Sequence, residues 1–148
     1  MRALLQRTTG ARVRIADEVV AEIGPGLVIL LGVGPDDGEG TADELARKVA
    51  ELRIFRDDDG RTNRSLLEIG GAALVVSQFT LYADTRRGRR PGFTTAAPPE
   101  LAERLYLLFM ESLRGLDVTV ATGRFGAEMA VELVNDGPFT IWLDTAER

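Results

Sequence analysis

The sequence predicts an α+β domain in which a curved or barrel-like β-sheet packs against two main helices. Three observations lead to this prediction. Short apolar runs of strand length are separated by turn residues, two longer stretches carry apolar residues at helical spacing, and no repeat, low-complexity segment or linker divides the chain. The 148 residues, 45% of them hydrophobic, suffice for one core, so we expect a single domain over residues 1–148.

The N-terminal third is predicted to consist mainly of strands. Residues 11–15 alternate between apolar and charged side chains, and residues 17–18 form a tight turn before a second strand over residues 19–23. The Gly-Pro-Gly sequence at 24–26 predicts another turn. Residues 27–31 are a continuous apolar run, which is typical of a strand buried on both faces.

Two stretches are predicted to be helices. Thr41 is expected to cap the first, with Glu44 three residues later completing a capping box. Its apolar stripe comprises Ala42, Leu45, Ala46, Val49 and Leu52. Pro98 and Pro99 are expected to open the second helix, because proline is tolerated in a first helical turn. Its stripe comprises Leu101, Leu105, Leu108, Phe109 and Leu113.

The remaining strands are shorter. Residues 73–76 are apolar and are expected to run on into residues 77–81, and residues 117–120 form another strand. Residues 128–133 alternate in strand fashion, and residues 141–143 end the fold. The prediction is therefore about seven strands in all.

Histidine and cysteine are both absent, which excludes more functions than any motif suggests. A Ser-His-Asp or Cys-His triad is impossible, and a conventional zinc site lacks its ligands. Histidine is also the commonest general acid or base. Any catalysis must use carboxylates, hydroxyl groups, Lys or Arg, the backbone, or the substrate itself, and we expect no metal and no cofactor.

The net charge and the lack of targeting signals limit the partners and the cellular location that we expect. The net charge of −5 argues against bulk coating of nucleic acid, although it leaves room for a local basic patch. No apolar run approaches the ~20 residues that span a bilayer. The first residues show no signal-peptide pattern. We therefore expect a cytoplasmic protein without a membrane partner.

Three loops invite a binding interpretation. Residues 57–60 (Asp-Asp-Asp-Gly) suggest calcium, but alignment on Gly60 leaves no acid at the first position and no Glu at the twelfth, so a solvated turn is favoured. Residues 32–34 lack the remaining elements of a phosphate-binding loop. The loop at 86–90 carries four arginines around one glycine. It is either solvated or a phosphate contact for RNA or a nucleotide, because arginine donors suit phosphate.

Two further segments stand out. Ser77-Gln78-Phe79-Thr80 places polar groups at the end of an apolar strand, where alternation predicts Ser77 and Phe79 on one face and Gln78 and Thr80 on the other. Thr80 is a candidate nucleophile, but no histidine exists to activate it. Gly137-Pro138 interrupts two strand-like runs, and from these residues alone it is a turn.

Together these segments resemble the D-aminoacyl-tRNA deacylase family over nearly the whole chain. The resemblance is carried by residues 77–81 (SQFTL) and 135–140 (NDGPFT), in this order and at this spacing. Supporting stretches lie at residues 3–7, 53–55, 84–91 and 122–126. The family more often has Val at the position of Phe139, which bears on packing beside the site.

The resemblance implies a homodimer that hydrolyses the ester joining a D-amino acid, or mischarged glycine, to the 3′-terminal adenosine of tRNA. It implies a cis Gly137–Pro138 bond, with this motif of one subunit entering the pocket of the other. The implied substrate-binding residues are Ser77, Gln78, Gly137 and Pro138. Phe79 and Thr80 are implied to act through backbone N–H groups. Arg7 is implied to brace the Gly-Pro segment, and the arginines at the tRNA phosphates are Arg86, Arg87, Arg89 and Arg90.

The resemblance also implies a reaction without metal or cofactor, in which the 2′-hydroxyl of the terminal adenosine helps to activate water. Three alternatives stay open. The first is a hydrolase that uses Thr80 covalently. The second is a non-catalytic RNA-binding module built on the arginine loop. The third is a structural dimer without a substrate.

Overall fold

The computed structural model describes residues 1–147. Eight strands are present, namely β1 (Arg2–Ile15), β2 (Glu18–Ile23), β3 (Gly26–Gly32), β4 (Phe55–Arg56), β5 (Thr62–Arg64), β6 (Ala72–Ser77), β7 (Thr119–Thr122) and β8 (Ala130–Asp144). The helices are α1 (Glu39–Glu51), α2 (Leu66–Ile69), α3 (Pro99–Gly115) and a single 3₁₀ helix (Phe79–Tyr82). The predicted α+β class is confirmed, and α1 and α3 are the two main helices.

β1 organises the sheet, because it pairs with three other strands. β8 runs antiparallel along nearly all of β1. The opposite edge of β1 is divided between β3, which pairs with residues 2–8, and β2, which pairs with residues 11–15. β6 and β7 then extend the sheet beyond β3 as parallel neighbours. The strand order β2-β1-β3-β6-β7, with β8 on β1, gives a curved, barrel-like sheet.

The main core lies between the sheet and helices α1 and α3. Its fully buried side chains include Leu5, Ile29, Leu45, Leu105 and Phe109. Burying a side chain of this size stabilises the fold by about 1.5–3 kcal/mol. Within residues 1–147, no helix is long and apolar enough to cross a membrane.

The start of α1 differs from the prediction. Gly38 is the N-cap residue and Thr41 lies three positions inside the helix, where its hydroxyl accepts the Gly38 backbone N–H at 3.3 Å. The capping prediction for Thr41 and Glu44 was therefore wrong by one turn. The extended backbone of Gly38 starts the helix three residues earlier than the apolar stripe indicates.

The predicted strand over residues 73–81 is also corrected. β6 ends at Ser77, and residues 79–82 form the 3₁₀ helix. Gly32 ends the neighbouring strand, and its missing side chain leaves space for Leu81 and Tyr82, whose atoms would lie 3.1–3.2 Å from a Cβ at that position. The polypeptide can turn over the end of β3 for that reason. The predicted facing of Gln78 and Thr80 therefore does not apply.

The two runs around Gly137-Pro138 belong to one strand, β8. Gln6 pairs with Thr140 and Thr8 pairs with Asn135, so residues 136–139 of β8 lie opposite Arg7 alone. Four residues opposite one residue make a large bulge, which projects from the sheet. We call residues 136–139 the Gly-Pro loop. The two short strands predicted at 128–133 and 141–143 are thus the ends of a longer one.

Replacing Ser65 by Ala should destabilise the fold by about 1 kcal/mol. Ser65 is buried and caps α2 reciprocally: its hydroxyl accepts the Glu68 N–H, and the Glu68 carboxylate accepts the Ser65 N–H at 2.6 Å. The Ser65 backbone N–H, followed by the Ser65 hydroxyl, holds the pKa of the Glu68 carboxylate below its usual value. Urea unfolding measures the difference, with the exposed Thr85→Ala as control. Equal unfolding midpoints for the two variants would contradict the cap.

Candidate functional site

A cavity of about 670 Å³ opens where β6 ends. Its wall includes Val76, Ser77, Gln78 and Phe79 on one side, and the start of α3 on another. The segment before β8 closes it with Phe125 and Met129. The lining is mainly apolar with a few polar groups at one end, which is typical of a small-molecule site.

The 3₁₀ helix begins at the wall of this cavity with Phe79, and its first two backbone N–H groups are unbonded. Within residues 1–147, the N–H groups of Phe79 and Thr80 have no hydrogen-bond acceptor, whereas the neighbouring Gln78 N–H donates to the Leu31 carbonyl at 2.8 Å. Orphan N–H groups are expected in a first helical turn. Phe79 is 54% exposed and packs edge-on against Phe93, with 5.0 Å between the ring centres. The two donors are therefore available to a ligand.

Thr80 is a poor nucleophile in this setting. Its hydroxyl is exposed and accepts a hydrogen bond from the side-chain amide of Gln78. An amide N–H cannot take a proton from the hydroxyl. In the part of the chain that the structure describes, no lysine or carboxylate hydrogen-bonds to this oxygen. The structure supplies no base that would activate Thr80.

The Gly-Pro loop is exposed at its tip and held firmly at its base. The Gly137–Pro138 peptide bond is cis, as the resemblance implies. The side chain of Asn135 spans the base, accepting the Phe139 N–H at 2.8 Å and donating to the Thr140 hydroxyl at 2.9 Å. The loop is therefore a fixed projection of backbone.

Arg7 packs beneath this loop. Only 3% of Arg7 is exposed. Its Nε donates to the Asp136 carbonyl at 2.9 Å and its Nη1 to the Ile54 carbonyl at 2.8 Å. The guanidinium also lies 4.5 Å from the centre of the Phe139 ring, within cation–π range. Phe139, where the family more often has Val, thus gains a contact with Arg7.

The cavity and the Gly-Pro loop are far apart within one chain. In the sheet register, Ser77 on β6 pairs with Leu31 on β3. The same row continues through Ala3 on β1 to Leu143 on β8. Gly137 lies opposite Arg7, four rows along β1 from Ala3. Three strand spacings of about 4.8 Å and four rises of about 3.3 Å therefore separate the segments by roughly 20 Å along the sheet. One chain alone does not bring the two predicted segments together.

The arginine loop divides into one paired and three outward residues. Arg86 donates to both carboxylate oxygens of Asp84, at 2.9 and 2.7 Å, and this lowers the pKa of Asp84 well below its usual range. Arg87, Arg89 and Arg90 are exposed, and among residues 1–147 no carboxylate lies within ion-pair distance of them. These three side chains form the cationic surface, whereas Arg86 is partly neutralised.

Sequence reasoning assigned no role to Phe93, Phe125 or Met129, which all line the cavity. Gly123 is a local sequence feature that bears on the position of Met129. A Cβ there would lie 2.4 Å from the Met129 sulfur, so glycine at this position leaves the space in which the Met129 side chain now lies. The sulfur also accepts the Arg124 N–H at 3.4 Å.

The loop at 57–60 is a turn, as predicted. The Asp57 carboxylate accepts the backbone N–H groups of Asp59 and Arg61 at 3.0 and 2.9 Å, and these bonds lower the pKa of Asp57. Over the described residues 1–147, no three His, Cys, Asp or Glu side chains meet in a geometry that would hold a metal ion.

Comparison with known proteins places the chain in a family. The family model described as D-Tyr-tRNA(Tyr) deacylase matches residues 4–144. A D-aminoacyl-tRNA deacylase of Roseiflexus sp. (strain RS-1) is 64% identical over 99% of this chain and 94% of that protein. The corresponding protein of Symbiobacterium thermophilum is 60% identical over 98% and 96%.

A solved structure gives the same answer for the fold. The c-Myc DNA unwinding element binding protein superimposes with a TM-score of 0.92 at 38% identity, over 98% of this chain and 99% of that one. Sequence and structure therefore agree over nearly the full length, and the chain belongs to the D-aminoacyl-tRNA deacylase family, whose members are hydrolases.

Proposed function

We propose that this protein hydrolyses the ester between a D-amino acid, or mischarged glycine, and the 3′-terminal adenosine of tRNA, and that it rejects L-aminoacyl-tRNA. Its relatives at 60–64% identity are D-aminoacyl-tRNA deacylases. The observation that carries the proposal is the combination of a cavity, two orphan backbone N–H groups at the start of the adjoining 3₁₀ helix, and a rigid backbone loop roughly 20 Å away. We propose a cytoplasmic homodimer in which each Gly-Pro loop enters the cavity of the partner.

The Gly-Pro loop suits this role because it projects and because its base is hydrogen-bonded throughout. Gly137 and Pro138 are exposed, so a neighbouring subunit can receive them. A Cβ at position 137 would lie 2.7 Å from the Phe139 nitrogen, so glycine is needed there for close approach. The two backbone carbonyls would then face the α-carbon and amino group of the bound substrate.

Selection against L-amino acids would follow from that placement. The side chain of an L-aminoacyl group would point at the backbone wall, whereas that of a D-aminoacyl group would point away from it. A wall of backbone atoms cannot rotate aside as a side chain does. Specificity built by exclusion leaves glycine free to enter, because glycine has no side chain to clash.

The chemistry would be substrate-assisted. Water, activated with help from the vicinal 2′-hydroxyl, attacks the ester carbonyl carbon, the bond to the 3′ oxygen breaks, and that oxygen takes up a proton. The N–H groups of Phe79 and Thr80 would stabilise the negative charge that develops on the carbonyl oxygen. Ser77 and Gln78 would position the aminoacyl group. Neither histidine nor Thr80 as a nucleophile is required.

A second candidate, a nucleic-acid-binding module without catalysis, is favoured by one observation. Arg87, Arg89 and Arg90 present positive charge in a protein with a net charge of −5. The structural relative at 38% identity is named for binding a DNA element. This candidate gives no role to the cavity, and it predicts salt-dependent tRNA binding with both esters left intact.

The deacylase should cleave D-Tyr-tRNA faster than L-Tyr-tRNA by about 100-fold or more, with Gly-tRNA also cleaved. Thr80→Ala should remain active, because the proposed role of Thr80 lies in its backbone. EDTA should have no effect. The measurement is loss of labelled amino acid from matched esters. Abolition of activity by Thr80→Ala, with a trapped acyl-enzyme, would favour the covalent alternative instead, and two intact esters would favour the binding module.

Arg7→Met should lower the free energy of unfolding by about 2–4 kcal/mol, because the buried Ile54 carbonyl and the part-buried Asp136 carbonyl lose a charged donor. It should also reduce the ratio of D-ester to L-ester hydrolysis by about tenfold or more, since the Gly-Pro loop loses its support. Arg56→Met is the matched control: Arg56 is half-exposed, 3.4 Å from the Asp136 carboxylate, and such a pair contributes about 0–1 kcal/mol. An unchanged D/L ratio in Arg7→Met would show that Arg7 does not support discrimination.

Replacing Arg87, Arg89 and Arg90 together by Gln should raise KM for aminoacyl-tRNA with kcat little changed. The slope of log KM against log salt should fall by about two to three, if each arginine contacts one phosphate. The control replaces three exposed helical arginines, Arg47, Arg104 and Arg114, by Gln, which changes the net charge equally. Identical salt slopes for both triple variants would remove the loop from the tRNA interface.

A further inference from the structure

We propose that Arg2, at the start of β1, is a positioning residue for the 3₁₀ helix and thereby for the Phe79 and Thr80 N–H groups. The inference rests on the proposed function, because it concerns the donors assigned to the developing oxyanion. Arg2 does not line the cavity. It would act through the backbone that it holds.

Arg2 joins the far end of the 3₁₀ helix to the sheet. Its Nη1 donates to the Leu81 carbonyl at 3.0 Å, while its Nε donates to the Asp144 carboxylate at 2.9 Å. The guanidinium lies over the Tyr82 ring at 4.4 Å and the Trp142 ring at 5.7 Å. One planar cation therefore links a helix carbonyl, a carboxylate on β8 and two aromatic faces, a set of contacts that suits arginine and not lysine.

The electrostatics of this cluster keep Arg2 in place. Burial alone would raise the pKa of Asp144, but the Ala146 N–H and the Arg2 guanidinium outweigh it, and the pKa of Asp144 lies below its usual value. Asp144 therefore remains a carboxylate over the neutral pH range. A charged acceptor strengthens the bond that orients the fork of Arg2.

Tyr82 gives the same end of the helix a second attachment. Its ring packs against Gly34, where a Cβ would lie 2.9 Å from the Tyr82 oxygen. Burial and the nearby Asp37 and Asp144 carboxylates raise the pKa of Tyr82, so it stays a neutral phenol. Thr95 donates its hydroxyl to the Tyr82 carbonyl at 2.8 Å.

The attachments at Leu81 and Tyr82 also affect the N–H groups at the start of the 3₁₀ helix, because the helix is short. The 3₁₀ helix has only four residues, and its first end is tied to β3 through the Gln78 N–H. A helix this short has little stability of its own, so its orientation depends on how its two ends are held. If Arg2 is lost, the Leu81 carbonyl loses a charged donor, and the N–H groups of Phe79 and Thr80, two residues and one residue earlier, are free to shift. A displacement of about 1 Å in a catalytic group can lower a rate by about 100-fold.

The test compares Arg2→Met with Arg2→Lys in the D-Tyr-tRNA deacylation assay. Arg2→Met keeps an unbranched, flexible stem but removes both donors, and Arg2→Lys keeps the charge without the planar fork. We expect kcat to fall about 10–100-fold in Arg2→Met with KM changed less than about twofold, and Arg2→Lys to be intermediate. Amide hydrogen exchange over residues 78–83 should accelerate in the same order.

Ser65→Ala is the stability control, because Ser65 lies at the opposite end of β6 and takes no part in the cavity. It should lower the melting temperature yet leave kcat and the exchange of residues 78–83 unchanged. An Arg2→Met enzyme with normal kcat would overturn the inference, and so would a reduced kcat with unchanged exchange at 78–83.

If the wild type cleaves neither ester, the proposed function fails. The exchange data then still decide whether Arg2 fixes the 3₁₀ helix, and unchanged exchange would overturn that part as well.

Discussion

The candidate site depends on one constraint: the backbone of the Gly-Pro loop needs hydrogen-bond partners outside the sheet ladder. The buried guanidinium of Arg7 is one of these partners. Four residues of β8 lie opposite this single residue of β1, so the ladder cannot satisfy the backbone there. Buried backbone groups without partners are costly, and Arg7 together with the side chain of Asn135 provides the missing donors and acceptor. The mismatch in the sheet thus produces a projecting backbone loop, and these side chains give it one conformation.

The opposite end of the sheet uses the same principle with different groups. β6 stops at Ser77, where the ending of β3 at Gly32 gives the chain room to turn. Carbonyls at the end of the resulting 3₁₀ helix are bonded by Arg2 and Thr95, while within residues 1–147 two N–H groups at its start have no acceptor. In both segments the groups that we propose for substrate contact belong to the backbone, and the side chains hold that backbone in place.

This arrangement, in which side chains hold the backbone and the backbone supplies the polar groups, suits a protein without histidine or cysteine. Backbone amides and carbonyls do not titrate near neutral pH, and their positions are fixed before the substrate arrives. An ester is easier to cleave than an amide because its alkoxide is the better leaving group, so a preorganised electrostatic environment and a hydroxyl on the substrate suffice for the proposed reaction. Cavity and loop lie roughly 20 Å apart within one chain, so in the proposed homodimer each site would take its cavity from one subunit and its loop from the other.

Much of the fold followed from the sequence alone, because apolar periodicity and Gly-Pro turns are local signals. Residues 19–23, 27–31 and 73–76 are strands, and α1 and α3 carry the predicted stripes. The exact start of α1 and the end of β6 depended on Gly38 and Gly32, whose effects arise from backbone geometry and neighbouring elements. The two signature segments and the absence of histidine were visible in the sequence. Only the tertiary structure decided that 136–139 bulge opposite Arg7 and that Arg2 reaches Leu81, because pairing register and contacts between distant residues leave no local pattern.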